Sequence, residues 1–252
     1  MDLLTALLLG LVQGFCEFLP VSSSGHLALF CRISGQTSSL SFSLALHLAT
    51  AIAVIIFYRK KLWEIVKKPF CPTAVNLVLA TIVSAVVVFA LKPYAESFFD
   101  GYSLAPFFML TATLLLLSRF FPLQGSGNIT PLKALCIGLG QGLAVFPGLS
   151  RSATTVSTAK FLGVANDESV DFCFLLSLPV IIGSALVELV GAPTLAIEFP
   201  ALAVGFVSAL LSGLLCLKFI KSAYQDKGGY FITYLVVLSL VITLNDCVFH
   251  IF

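Results

Sequence analysis

Six stretches of this chain, near residues 41–58, 74–92, 104–121, 171–190, 199–219 and 230–249, are long and apolar enough to cross a membrane. Each approaches the ~20 residues that an α-helix needs to traverse the hydrocarbon core. None shows the period-two alternation of a barrel strand, so helices are the expected form. In lipid, a lone segment can satisfy its own backbone hydrogen bonds only as a helix. Composition agrees: 59% of the 252 residues are hydrophobic and 10% are charged, against about 25% charged in soluble domains. The expected fold is therefore an all-α polytopic membrane protein. The net charge of +2 comes without a basic tail or stripe, so no nucleic-acid partner is expected. The first 19 residues are apolar, yet Asp2, Gln13 and Glu17 argue against a cleaved signal peptide. The seven cysteines contain no C-x-x-C pair and read as small membrane hydrophobes, and the three dispersed histidines give no zinc pattern.

Two other regions, 1–34 and 131–163, each hold two short apolar arms around a polar centre bearing Gly, Pro and Ser. Neither arm is comfortably long enough to span. This is the pattern of a re-entrant hairpin, two half-helices that enter and leave on one side. The two centres also resemble each other. LGLVQGFCEFLPVSSSGH (9–26) aligns with IGLGQGLAVFPGLSRS (137–152) at an offset of 128 residues, slipping to 127 after the phenylalanine. Each half of a single membrane domain (repeat one 1–121, repeat two 131–249) then consists of one hairpin and three spans. An odd number of spans makes the second half begin on the opposite face, so the repeats are expected to be inverted, with their hairpin tips meeting near the midplane. Ten basic residues fall in the loops 59–73, 119–133 and 218–229, against Arg32 and Lys92 on the other side. By the positive-inside rule the ten face the cytoplasm and the first hairpin opens outward.

The remaining basic residues, Arg151 and Lys160, lie in the second hairpin. In PGLSRSATT (147–155), Pro147 and Gly148 end one arm, and Ser150 or Ser152 can cap the next helix. A helix N-terminus offers free N–H groups and partial positive charge, and the Arg151 guanidinium forks onto phosphate oxygens. Ser150, Ser152, Thr154 and Thr155 add hydroxyls, so this segment can hold an anion. In the first hairpin, Gln13 and Glu17 share a helix face, Pro20 breaks the helix, Ser22, Ser23, Ser24 and Gly25 form the tip, and His26 opens the returning arm. Glu17 could bind a divalent cation or act as a base, a serine could be a nucleophile, and His26 could shuttle a proton. A plain Glu17–Arg151 ion pair with no chemistry is the competing reading. Glu188, His47 and Asn76 read as structural, and the acidic stretch 166–171 as a loop and helix start.

At these two motifs the sequence resembles the membrane-embedded undecaprenyl-diphosphate phosphatases of the bacitracin-resistance type. The resemblance rests on Gln13–Glu17 running into FLPVSSSGH (18–26), on Pro147–Thr155, and on DFCFLLSLPVIIGSAL (171–186), and it extends over essentially the whole chain. It implies hydrolysis of undecaprenyl diphosphate to undecaprenyl phosphate at the outer face of a bacterial cytoplasmic membrane, recycling the carrier lipid for cell-wall synthesis. It assigns Glu17 as the essential carboxylate and metal ligand, Ser23 as the family's proposed nucleophile and His26 as the motif histidine, and the sequence leaves open attack by Ser23 or by water with Glu17 or His26 assisting. Ser150, Arg151, Ser152 and Thr155 become phosphate ligands, with Gln13, Ser22 and Gly148 in support. A divalent cation, Mg²⁺ or Ca²⁺, is the implied cofactor. The implied partners are the bilayer and a polyprenyl diphosphate lipid; a homodimer is compatible with the sequence, which leaves the oligomeric state open. Two positions depart from the family pattern: Gln13 stands where many relatives have glutamate, and Ala153 replaces a common glycine. Inverted repeats with broken helices also suit a transporter or flippase of polyprenyl phosphate, which is the alternative reading, and a scaffold locked by a Glu17–Arg151 pair is a third.

Overall fold

The computed structural model describes residues 1–35, 39–98, 104–121, 127–191, 199–225 and 228–251. Among them every regular element is helical. Four short helices form two pairs: α1 (Leu3–Cys16) with α2 (Ser23–Ser34), and α7 (Pro131–Leu143) with α8 (Arg151–Phe161). The longer ones are α3 (Leu40–Phe57), α5 (Pro72–Glu96), α6 (Leu104–Ser118), α9 (Asn166–Gly191), α10 (Phe199–Gln225) and α11 (Gly228–Leu244), with a π-turn closing α11 at Asn245–Phe249. The ninth residue of the basic 59–73 segment closes a further helix, α4 (Arg59–Lys67).

Among the described residues four helices are long and apolar enough to cross a membrane: Pro72–Ala95, Asn166–Leu186, Phe199–Gln225 and Gly228–Phe249. The pair α3 and α4, bent by 76°, makes a fifth if it is one span. The run expected over 104–121 appears as the 15-residue α6, shorter than a full crossing among the described residues. Sequence reading expected a charged loop where α4 lies. The segment coils because Leu62 and Ile65, three apart, pack against the core while its cations stay exposed. Glu188 has no described side chain and Lys227 lies outside the described residues.

Helix starts follow local chemistry. Asp2, Ser22, Ser39, Thr130 and Ser150 each cap a first turn through the side chain, and Pro stands in the first turn of α5 and α7. The paired helices start in register, Leu3 with Pro131 and Ser23 with Arg151, each 128 residues apart. Packing then crosses between the halves: α1 lies along α10, α7 along α5, α3 between α9 and α10, and α6 against α11. Small residues allow the close approach. A Cβ on Gly10 would lie 2.4 Å from Gly205 O of α10, and one on Gly138 2.4 Å from Ala80 O of α5. The outer surface is apolar: Val78, Ile82, Val86 and Phe89 form one stripe of α5 and are 58%, 56%, 63% and 63% exposed, as a lipid-facing helix requires.

The turns of the two short-helix pairs meet inside this bundle. A Cβ on Gly25 would lie 2.8 Å from Gly148 Cα and 2.7 Å from Phe108 Cζ. Gly148 itself has φ +91°, which favours glycine. Gly25→Ala should therefore overpack the junction, costing about 1–3 kcal/mol and lowering the melting temperature in detergent. Gly183→Ala, where an added Cβ meets nothing within 4 Å, should leave it unchanged or raised. Equal melting temperatures for the two variants would show that the tips do not press together.

Candidate functional site

Pro20 cannot continue α1, and the chain turns through Ser22, whose φ of 70° is rare for a residue with a side chain. Ser22 then caps α2, its Oγ accepting from Gly25 N at 3.4 Å. Ser150 does the same for α8, its Oγ accepting from Ala153 N at 3.2 Å. The first-turn N–H groups of Ser23, Ser24, Arg151 and Ser152 have no acceptor within their own helices. Both N-termini line one cleft of about 50 Å³, through Ser22, Ser23 and Ser24 from α2 and Ser150 and Arg151 from α8. Two positive dipole ends converging on a small polar cleft make an anion site.

Glu17 forms the opposite wall and is buried. Its Oε1 accepts from Arg151 Nη2 at 2.9 Å. Its Oε2 accepts from Ser23 Oγ at 2.6 Å and from Gln13 Nε2 at 3.1 Å. One carboxylate thus joins a hydroxyl to a guanidinium contributed by the other half of the chain. Arg151 Nη1 is buried with no partner, as is Gln13 Oε1. Buried polar atoms of this kind call for a ligand or water. Arg151 also faces a smaller void, of about 10 Å³, walled by Glu17, Ser152 and Thr155. The second tip is pinned to the first by Ser152 Oγ, which donates to Leu19 O at 3.1 Å. Ser150 Oγ lies 3.1 Å from Ser152 Oγ, and Thr155 Oγ1 donates back to Arg151 O at 2.8 Å, stiffening the first turn of α8.

Glu17, Ser23, Gln13, Ser22, Ser150 and Arg151 are therefore brought together as the sequence suggested. His26 is not: its Nδ1 donates to Ser22 O at 2.7 Å, and its Nε2 lies 2.7 Å from Tyr234 Oη. Its ring stacks on Tyr234 and meets Phe108 edge-on. Thr155 and Gly148 support the tip rather than face the cleft. Three contributors escaped the sequence reading. His47, read there as structural, lines the cleft beside Glu17, with Nδ1 donating to Ser43 O at 2.9 Å. Tyr234 fixes His26. Thr111 of α6 accepts from Ser150 N at 3.0 Å, and its Oγ1 lies 3.0 Å from both Phe107 O and Gly148 O. None of the three sits in a local motif; only packing brings them in. Asn76, also read as structural, donates to Ile129 O at 2.6 Å.

Among the described residues no three His, Cys, Asp or Glu side chains gather as a metal cage. The oxygens on offer are Glu17, Ser23 Oγ and the orphaned Gln13 Oε1. That set suits a hard cation which completes its shell with water and substrate phosphate.

The family described as Bacitracin resistance protein BacA matches residues 6–241. Proteins named undecaprenyl-diphosphatase are similar along nearly the full length. The one from Korarchaeum cryptofilum is 32% identical over 94% of this chain and 97% of its own. That from Methanococcus maripaludis strain C6 is 39% identical over 89% and 94%, and that from Carboxydothermus hydrogenoformans 35% over 96% and 97%.

Thr111→Val keeps the shape but leaves Ser150 N–H without its acceptor, an expected loss of about 1–3 kcal/mol. Its melting temperature should fall, while Thr111→Ser, which retains the hydroxyl, should stay near wild type. A stable valine variant would show that α8 is held in place by other contacts.

Proposed function

The chain belongs to the Bacitracin resistance protein BacA family, and we propose that it hydrolyses undecaprenyl diphosphate to undecaprenyl phosphate and inorganic phosphate. The observation that carries this reading is the Glu17 carboxylate, shared between the Ser23 hydroxyl at 2.6 Å and the Arg151 guanidinium at 2.9 Å. A base in contact with a nucleophile, beside a cation with a spare donor, is the arrangement that phosphoryl transfer uses.

The terminal phosphate enters the cleft against Arg151 Nη1 and the free N–H groups opening α8. Ser23 Oγ gives its proton to Glu17 and attacks the terminal phosphorus in line. The Ser23 Oγ–P bond forms, the bridging P–O bond breaks, and the lipid phosphate departs. Glu17 passes that proton to the departing lipid phosphate and, ionised again, deprotonates the water that cleaves the phosphoserine, handing the proton to Ser23 Oγ as inorganic phosphate leaves. His26, tied to Ser22 O and Tyr234, acts as a positioning residue for the strained turn. Ser150, Ser152 and Thr155 keep the first turn of α8 rigid around the anion. A divalent cation, Mg²⁺ or Ca²⁺, held by Glu17 with Gln13 Oε1 would neutralise phosphate charge.

The topology completes the proposal. Two inverted repeats, each a re-entrant hairpin followed by three spans, account for the matched helix starts and for the exchange of partners between halves. With the basic loops on the cytoplasmic side, the first hairpin opens to the outer face, where the carrier lipid is released from wall assembly.

The test is phosphate release by the purified full chain in detergent, given a polyprenyl diphosphate and Mg²⁺ or Ca²⁺. Release should be robust in wild type and absent in Ser23→Ala and Glu17→Ala. Arg151→Lys should lose about 100-fold or more, because a point charge cannot reproduce the guanidinium fork. Surviving activity in Ser23→Ala would assign the attack to water. No release by wild type, together with counterflow of polyprenyl phosphate in vesicles, would make the protein a carrier instead.

A further inference from the structure

Far from Glu17 in sequence, the junction of α3, α4 and α10 forms a cleft of about 470 Å³ with a strongly basic wall. Arg59, Lys60 and Lys61 line it from α4, and Lys218 and Lys221 from α10. Its one acidic lining residue is Asp171. That carboxylate is already engaged: Tyr58 Oη donates to it at 2.9 Å, Lys221 Nζ lies 3.1 Å away, and Lys61 pairs with it as well. Among the described residues Arg59, Lys60 and Lys218 have no acidic partner. The cleft therefore presents three uncompensated cations. Its other walls, Ile56, Phe57 and Leu214, are apolar.

A second observation places this cleft at a membrane surface. Helix α4 leaves α3 at 76°, so it runs along the interface when α3 crosses the bilayer. Trp63 and Val66 are 60% and 67% exposed on it, and Lys67 Nζ lies 5.2 Å from the Trp63 ring centroid. An exposed tryptophan and valine on a short basic helix are the signature of an interfacial segment.

From these features we infer that the α3–α4–α10 cleft binds an anionic diacyl phospholipid, with its headgroup phosphate on Arg59, Lys60 and Lys218 and its acyl chains along Ile56, Phe57 and Leu214. The mixed wall selects this occupant. A free phosphate would leave the apolar half of the cleft bare, and a neutral phospholipid would leave the three cations uncompensated. Basic pockets beside membrane helices recognise anionic headgroups through this charge arrangement.

Native mass spectrometry of the full chain in detergent, titrated with phosphatidylglycerol or phosphatidylcholine, tests the assignment. Wild type should retain phosphatidylglycerol in preference to phosphatidylcholine, and inorganic phosphate should not displace it. Each basic residue near the surface contributes about fivefold. The Lys60→Gln/Lys218→Gln variant should therefore bind phosphatidylglycerol about 25-fold more weakly, with phosphatidylcholine binding and phosphate release unchanged. If that variant melts below wild type, Arg59→Gln alone serves, with an expected loss of about fivefold. Undiminished phosphatidylglycerol binding in these variants, no preference in wild type, or displacement by inorganic phosphate would each overturn the inference.

Discussion

A carboxylate buried in an apolar bundle is stable only if its charge is answered, and Glu17 is answered by Arg151 across 134 positions of sequence. This ion pair closes the two helical turns on each other and fixes where α8 begins relative to α2. Ser152 on Leu19 O and the contact of Gly25 with Gly148 act at the same junction. The pair alone would be an inert lock. What turns it into a site is that the carboxylate keeps one oxygen for Ser23 while the guanidinium keeps one nitrogen unpaired. Under the proposed mechanism the same residues serve as a structural bridge and as chemistry.

Helix packing makes that meeting possible. The first helix of each short pair is seated on a long helix of the other half, through glycines that admit contact at backbone distance. Each half supplies the groove that the other half fills, so neither tip can be placed without its partner. In lipid, where burial of apolar surface between helices contributes little, such close packing and interhelical hydrogen bonding carry association.

The sequence revealed those parts of the site that are costly wherever they occur. Arg151 and Glu17 stood out because charge at membrane depth needs a reason, and Ser23 because it lies at the broken tip beside that charge. The 128-residue offset foreshadowed the helix starts at Leu3 and Pro131; after its slip to 127 it pairs Ser23 with Ser150, the residue that caps α8. Residues whose contribution depends on a neighbouring helix were not legible. Thr111 reads as an ordinary threonine until α6 is laid beside the α8 turn, and His47 as an isolated histidine until α3 meets the cleft. His26 was legible as polar and adjacent, but its direction was not: packing turns its ring to Tyr234 and away from Ser23. Helix α4 was hidden because its four cations read as a loop, while only two of its apolar residues face the core.

The central claim is that Glu17 and Arg151 act as one unit across the two halves. A double-mutant cycle on thermal stability in detergent, with Glu17→Gln, Arg151→Met and the combined variant, measures this directly. Removing one partner of a buried pair strands the other charge, at a cost of about 3–5 kcal/mol. The account predicts that the double variant is no less stable than the worse single variant, a coupling of about 2 kcal/mol or more. Additive losses, with the double variant falling by the sum of the two, would contradict it.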